Sequence, residues 1–91
     1  MLAESDRKLI IQTAHAYGAR EVLLFGSSTR SEQESHDIDI AVAGIPPRQF
    51  FQFYGDLMFK LSKPLDVVDL SKINSFTQLI RQEGVLLYER T

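Results

Sequence analysis

Apolar side chains recur along this chain at helical spacing in three segments. The first segment runs from about residue 5 to residue 17, and Gly18 suits a left-handed helix stop. A second helix opens at Pro46 and Pro47 and is expected to end near residues 62–64. Its apolar stripe consists of Phe50, Phe53, Tyr54, Leu57, Met58 and Leu61. A third helix is closed by Gly84, and its apolar face consists of Ile73, Phe76, Leu79 and Ile80.

Between the helices, short apolar or alternating runs predict four strands. They cover residues 21–25, 37–42, 65–70 and 85–88. The segment 28–36 is polar and leaves room for one short helical turn. The chain of 91 residues therefore predicts a single α/β (α+β) domain over residues 1–91, with helices packed on a small sheet.

Two carboxylates lie on one face of the second strand. Strand side chains alternate, so Asp37 and Asp39 point the same way while Ile38 and Ile40 point into the core. Like charges at this spacing destabilise a sheet. Mg²⁺, in contrast, is bound by a few carboxylate oxygens together with water and substrate phosphates. The pair thus favours a metal site.

A glycine-serine turn precedes this pair. Gly26 directly follows a strand, where it lets the backbone turn sharply and lets a phosphate approach, and Ser27 adds a hydroxyl donor. The strand at residues 65–70 offers a third carboxylate, either Asp66 or Asp69. Asp66 is favoured, because Asp69 lies at the strand end, where a carboxylate is commonly exposed or used as a cap.

Three carboxylates and a phosphate-binding turn are the parts needed for nucleotidyl transfer assisted by two metal ions. One ion would lower the pKa of the attacking hydroxyl, and the other would neutralise charge on the leaving pyrophosphate. Asp66 could then accept the proton of the acceptor hydroxyl as a general base.

The spacing of these residues resembles the signature of the DNA polymerase β-like nucleotidyltransferase superfamily. Gly26-Ser27, nine intervening residues and Asp37-Ile38-Asp39-Ile40 carry the likeness, together with Arg30 and the strand at residues 65–70. The short chain looks like the minimal branch of that superfamily (MNT). One departure is Ser31, where family members often have glycine.

The resemblance implies a palm-like mixed sheet with helices, two Mg²⁺ ions and ATP as the nucleotide donor. It assigns Asp37, Asp39 and Asp66 as metal ligands and catalytic residues, and Gly26 and Ser27 as triphosphate contacts. Arg30 is either a further triphosphate contact or an ordinary surface arginine. The minimal branch is similar to the MntA-like antitoxins of HEPN/MNT pairs, which adenylylate a tyrosine of a HEPN-type toxin.

Composition narrows the partners. The net charge of -2 argues against a nucleic-acid binder that relies on a basic surface, and the absence of cysteine excludes thiolate sites. No apolar run is long enough to cross a membrane and the N-terminus lacks the profile of a signal peptide, so a cytoplasmic location is expected.

Two questions stay open at the level of sequence. Phe51 and Phe59 lie off the main helical stripe, so they either widen the core face or form an exposed partner surface in a homodimer or heteromer. The rival to an enzyme is a catalytically inert module of the same fold that neutralises its partner by contact.

Overall fold

The computed structural model describes residues 2–26 and 36–90, and the seven predicted elements are all found there. The helices are α1 (Glu4–Ala16), α2 (Pro47–Met58) and α3 (Ser75–Glu83). The strands are β1 (Glu21–Leu24), β2 (Ile38–Ala43), β3 (Leu65–Asp69) and β4 (Val85–Glu89). The predicted α/β class is therefore confirmed. The short helical turn expected within residues 28–36 falls almost entirely outside the described residues.

The four strands form one mixed sheet in the order β3-β2-β1-β4. β1 lies antiparallel to both β2 and β4, whereas β2 and β3 are parallel. Parallel neighbours need a crossover connection, and α2 supplies it between β2 and β3. This crossover brings the two strands that carry the candidate carboxylates side by side.

The core occupies both faces of the sheet. On one face, Ile38, Ile40 and Val42 pack with α1 and α2 in a cluster that includes Ile10 and Phe53. The expectation that Ile38 and Ile40 point into the core is therefore confirmed. On the opposite face, a smaller cluster packs α3 on the sheet and comprises Leu23, Ala41, Ala43, Leu70 and Ile80.

Two helix boundaries differ from the sequence prediction. α2 ends at Met58 rather than near residues 62–64, because the chain turns at Phe59 and the Ser62 N–H donates to the buried Asp6 carboxylate at 3.1 Å. α3 begins after Ile73, because Asn74 caps it by accepting from the Thr77 N–H.

The predicted apolar stripes are only partly buried. Phe53 and Leu57 of α2 are fully buried, whereas Met58 is 47% exposed. On α3 the buried residues are Thr77 and Ile80, while Phe76 and Leu79 are about half exposed. Short helices on a small sheet cover only one narrow strip, so the flanking positions of each stripe remain in contact with solvent.

None of the helices in the described ranges is both long enough and apolar enough to span a bilayer.

The sequence left open whether Phe51 and Phe59, which lie off the main stripe of α2, widen the core or are exposed. Phe51 is 81% exposed and Phe59 is 85% exposed, so neither widens the core. With Met58 they give the outer side of α2 an exposed apolar surface, which we call the α2 aromatic surface.

Candidate functional site

The register of β2 and β3 places Asp39 directly beside Asp66. Paired residues of neighbouring strands project from the same face of a sheet, with the strands about 4.8 Å apart. Asp39 is half-buried and Asp66 is exposed, so the pair is reachable from solvent. Asp37 is exposed and lies at the bend that immediately precedes β2, two positions before Asp39. The register of β2 and β3 thus directs Asp39 and Asp66 to one face, with Asp37 next to the start of β2.

Asp69, the alternative third carboxylate, lies elsewhere. It pairs with Val42, whose side chain is in the core on the opposite face of the sheet. Its Oδ1 accepts a hydrogen bond from the Ser71 N–H at 2.9 Å and so caps the turn after β3. The fold therefore puts Asp66, and not Asp69, next to Asp39.

Gly26 follows β1 and lies against the Asp39 carboxylate. The Phe25 N–H donates to the Asp39 carbonyl at 3.1 Å, which holds the chain here beside β2. Gly26 has φ +60°, and a Cβ at this position would lie only 2.8 Å from Asp39 Oδ2. Both the left-handed backbone and the lack of space therefore require glycine. Ser27 and Arg30, the other predicted phosphate contacts, lie outside the described residues.

An aromatic pair joins this turn to α3. The rings of Phe25 and Phe76 are 5.9 Å apart in an edge-to-face arrangement. Such pairs contribute about 0.5–1.5 kcal/mol beyond the area they bury. The contact links the residue before Gly26 to the first turn of α3. Sequence reasoning missed it, because it assigned Phe76 to the apolar face of α3 without a partner.

Tyr54 is a second contact that sequence reasoning missed. Its hydroxyl donates to the Leu65 carbonyl at 2.7 Å and lies 3.4 Å from Asp66 Oδ1. Burial is the main cause that raises the pKa of Tyr54 above its ordinary value, and the negative charge of Asp66 adds to it. The available signal was the hydroxyl itself, since a tyrosine on an apolar stripe usually has a hydrogen-bond partner.

The donor set fits a hard divalent cation. Carboxylate oxygens are the ligands that Mg²⁺ prefers, and the strand register brings Asp39 and Asp66 together. Within residues 2–26 and 36–90, however, no three histidine, aspartate or glutamate side chains are gathered closely enough to hold a metal ion. Sharing a cation among the three carboxylates therefore requires side-chain rearrangement.

A groove of about 220 Å³ between α1 and α2 is separate from these carboxylates. Its lining includes Thr13, Tyr17, Asp56 and Lys60. The Tyr17 hydroxyl donates to Asp56, and this hydrogen bond is the main cause that raises the pKa of Tyr17. The helices that line the groove cover the sheet face opposite to Asp39 and Asp66, so it is not part of the carboxylate site.

Comparison with known families gives one match that spans most of the chain. The family model described as "Polymerase beta, Nucleotidyltransferase" matches residues 8–91. A comparison with functionally curated proteins finds no significant match.

Solved structures share the fold. A chain of the crystal structure of the toxin-antitoxin MntA-HepT superposes with a TM-score of 0.72 at 21% identity, over 97% of this chain and 74% of that chain. A toxin-antitoxin structure with AMP-PNP gives 0.71 at 23% identity, over 93% and 74%. A structure of tri-AMPylated Shewanella oneidensis HEPN toxin in complex with MNT antitoxin gives 0.71 at 23% identity, over 93% and 71%.

Proposed function

Since this chain belongs to the family of polymerase beta nucleotidyltransferases, we propose that it transfers AMP from ATP to a tyrosine hydroxyl of a HEPN-type partner. In this proposal the reaction depends on Mg²⁺, and the modification silences the partner, so that the chain acts as an antitoxin in the cytoplasm. Support for the donor and the partner comes from the solved structures of the same fold, which include a complex with AMP-PNP and an AMPylated HEPN toxin.

One observation carries the proposal. The register pairs Asp39 with Asp66, and the left-handed Gly26 turn lies against the Asp39 carboxylate. A main-chain turn without a side chain is where a phosphate can approach, and the neighbouring carboxylates are where a cation can bridge to it. The geometry therefore supports binding of a nucleoside triphosphate between the Gly26 turn and strands β2 and β3.

The chemical roles follow from these positions. The acceptor oxygen forms a bond to the α-phosphorus of ATP, the bond to the bridging oxygen breaks, and pyrophosphate leaves. Asp66 is proposed to accept the proton of the acceptor hydroxyl, while Asp37 and Asp39 hold the cation with it. Bound Mg²⁺ would supply charge neutralisation on the phosphates. Gly26, Ser27 and Arg30 are proposed to contact the triphosphate.

The α2 aromatic surface is the proposed contact with the partner. Phe51 and Phe59 are more than four-fifths exposed, and large aromatic residues are enriched at protein interfaces. Changing both to serine should leave the melting temperature nearly unchanged, because neither residue is in the core. The same change should weaken the complex with the partner at least tenfold in a titration. An unchanged affinity would place the interface elsewhere.

The transfer itself is tested with ATP labelled at the α-phosphate. The purified chain, Mg²⁺ and the labelled ATP are added to lysate of the native host, and labelled protein is detected on a gel. We expect a labelled band with α-labelled ATP and none with γ-labelled ATP, since AMP and not phosphate is transferred. Asp39→Asn should lose the label, because it removes the metal-binding charge with little change of shape.

Two matched variants sharpen this test. Asp66→Asn and Asp69→Asn make the same chemical change three residues apart on β3, but only Asp66 lies beside Asp39. We expect loss of transfer with Asp66→Asn and retention with Asp69→Asn, because an asparagine can still cap the turn at Ser71. Equal activity of these two variants would contradict the assigned roles.

A contact-only antitoxin is the second candidate. It is favoured by the finding that no three carboxylates of the described residues are gathered as a metal site. Such a module should still neutralise its partner in cells after Asp37 and Asp39 are both changed to asparagine. An enzyme should fail to do so.

A further inference from the structure

We infer that Tyr54 positions the Asp66 carboxylate for metal binding and for proton transfer. This inference rests on the proposed function, because it gives Tyr54 a role in the same site. Tyr54 itself is on α2, which packs on the other face of the sheet, and only its hydroxyl reaches Asp66 at the β3 edge.

The hydroxyl is held in place by a strong partner. It donates to the Leu65 carbonyl at 2.7 Å, and Leu65 is the residue immediately before Asp66. The backbone that carries Asp66 and the group that contacts its side chain are therefore fixed to each other. Tyr54 is also half-buried on the packed side of α2, so its ring has little freedom to move.

The contact involves one oxygen of the carboxylate. Asp66 Oδ1 lies 3.4 Å from the Tyr54 hydroxyl and is the long second acceptor of its single proton, which the Leu65 carbonyl accepts at 2.7 Å. Within residues 2–26 and 36–90, no other hydrogen bond to the Asp66 side chain is present, and Asp66 is exposed. An exposed aspartate on an edge strand would otherwise sample several rotamers. The contact with Tyr54 restricts that sampling.

Hydrogen bonds to ligating side chains orient them, and loss of such a bond typically lowers metal affinity or activity by about 10- to 100-fold. The contact of 3.4 Å is long, so we expect an effect near the lower end of that range. A purely structural role of Tyr54, through its bond to Leu65 alone, would instead lower stability without changing metal affinity.

The chain offers a matched control. The Tyr17 hydroxyl also contacts an aspartate, to which it donates its proton, but that aspartate is Asp56 on the opposite side of the sheet from the site. Tyr54→Phe and Tyr17→Phe each remove one hydroxyl from one carboxylate. Only the first should change the properties of the carboxylate site.

The experiment measures Mn²⁺ binding to the complete chain by electron paramagnetic resonance of the free ion, in the presence of a non-hydrolysable ATP analogue. We expect the dissociation constant of Mn²⁺ to rise about tenfold in Tyr54→Phe and to stay unchanged in Tyr17→Phe. In the transfer reaction, kcat should fall about tenfold in Tyr54→Phe with KM for ATP within about twofold, because the hydroxyl does not contact the nucleotide.

Equal Mn²⁺ affinity of the wild type and Tyr54→Phe would overturn the inference, as would the absence of Mn²⁺ binding by the wild type. An equal loss in Tyr17→Phe and Tyr54→Phe would show a general effect on folding and would also overturn it. Failure of the proposed function gives a different result. In that case the wild type transfers no label, while the difference in Mn²⁺ affinity between the two variants persists.

Discussion

Replacement of Gly26 by alanine tests the close approach of the turn to Asp39. The added Cβ would lie 2.8 Å from Asp39 Oδ2, and ordinary contacts begin at 3.4 Å, so these atoms must separate by about 0.6 Å. The left-handed backbone of an alanine costs about 1–2 kcal/mol. Moving the Asp39 side chain off its preferred rotamer adds about 0.5–1.5 kcal/mol. Gly26→Ala should therefore destabilise the protein by about 1.5–3.5 kcal/mol.

Gly18 and Gly44 provide an internal scale for this value. Gly18 has φ +74°, and none of the described residues has an atom within 4 Å of a Cβ placed there, so Gly18→Ala reports the backbone cost alone. Gly44 has φ +97°, and a Cβ there would lie 2.5 Å from the backbone nitrogen of Arg20, which cannot move aside. Urea unfolding should therefore rank the free energies of unfolding, from the most to the least stable variant, as Gly18→Ala, Gly26→Ala and Gly44→Ala.

A double-mutant cycle isolates the contact with the carboxylate. In an Asp39→Ala background, the nearest remaining atom of the described residues to the added Cβ is the Cβ of residue 39 at 3.8 Å, an ordinary contact. Gly26→Ala should then cost only about as much as Gly18→Ala, which gives a coupling energy of about 0.5–1.5 kcal/mol. If Gly26→Ala costs the same in both backgrounds, the turn does not press on the carboxylate and the geometry argued for the site is wrong.

Two further predictions concern residues outside the site. Asp6 is 2% exposed and accepts hydrogen bonds from the N–H and hydroxyl of Ser62. Asp6→Ala should therefore lower the free energy of unfolding by about 2–3 kcal/mol in urea, and an equally stable variant would show that the contact is dispensable. The pKa of Tyr17 is raised by its hydrogen bond to Asp56, so this interaction contributes stability below pH 10, the ordinary tyrosine pKa, and is lost as the pH rises through the higher folded-state pKa. The stability of the wild type should thus decline more steeply above pH 10 than that of Tyr17→Phe, and parallel declines would refute the assignment.

Local sequence patterns predicted the helices and strands. Alternation along residues 37–42 predicted that Ile38 and Ile40 are buried, and both are in the core. The family resemblance is confirmed by the match over residues 8–91. The elements and the burial of Ile38 and Ile40 depend on periodicity and backbone preference within a few residues. They can therefore be predicted from a short segment of sequence, without knowledge of what packs against it. The single-domain organisation of residues 1–91 remains a prediction, as do the roles of the six site residues: Gly26, Ser27, Arg30, Asp37, Asp39 and Asp66.

The tertiary structure decided what depends on pairing between distant segments. The sequence left Asp66 and Asp69 both possible beside Asp39, and only the parallel register of β2 and β3 chose between them. A shift of that register by one residue would turn the other face of β3 towards Asp39. The register of β2 and β3 is determined by burial of the apolar side chains over the whole sheet and not by either aspartate.

Contacts across the fold were equally inaccessible from the sequence. Tyr54 and Asp66 are 12 residues apart, and Asp6 and Ser62 are 56 residues apart. The exposure of Phe51 and Phe59 likewise follows from the narrow strip that α2 buries on a four-stranded sheet. Spacing along one helix determined which residues share a face, but packing of the helix on its neighbours determined how much of that face is covered.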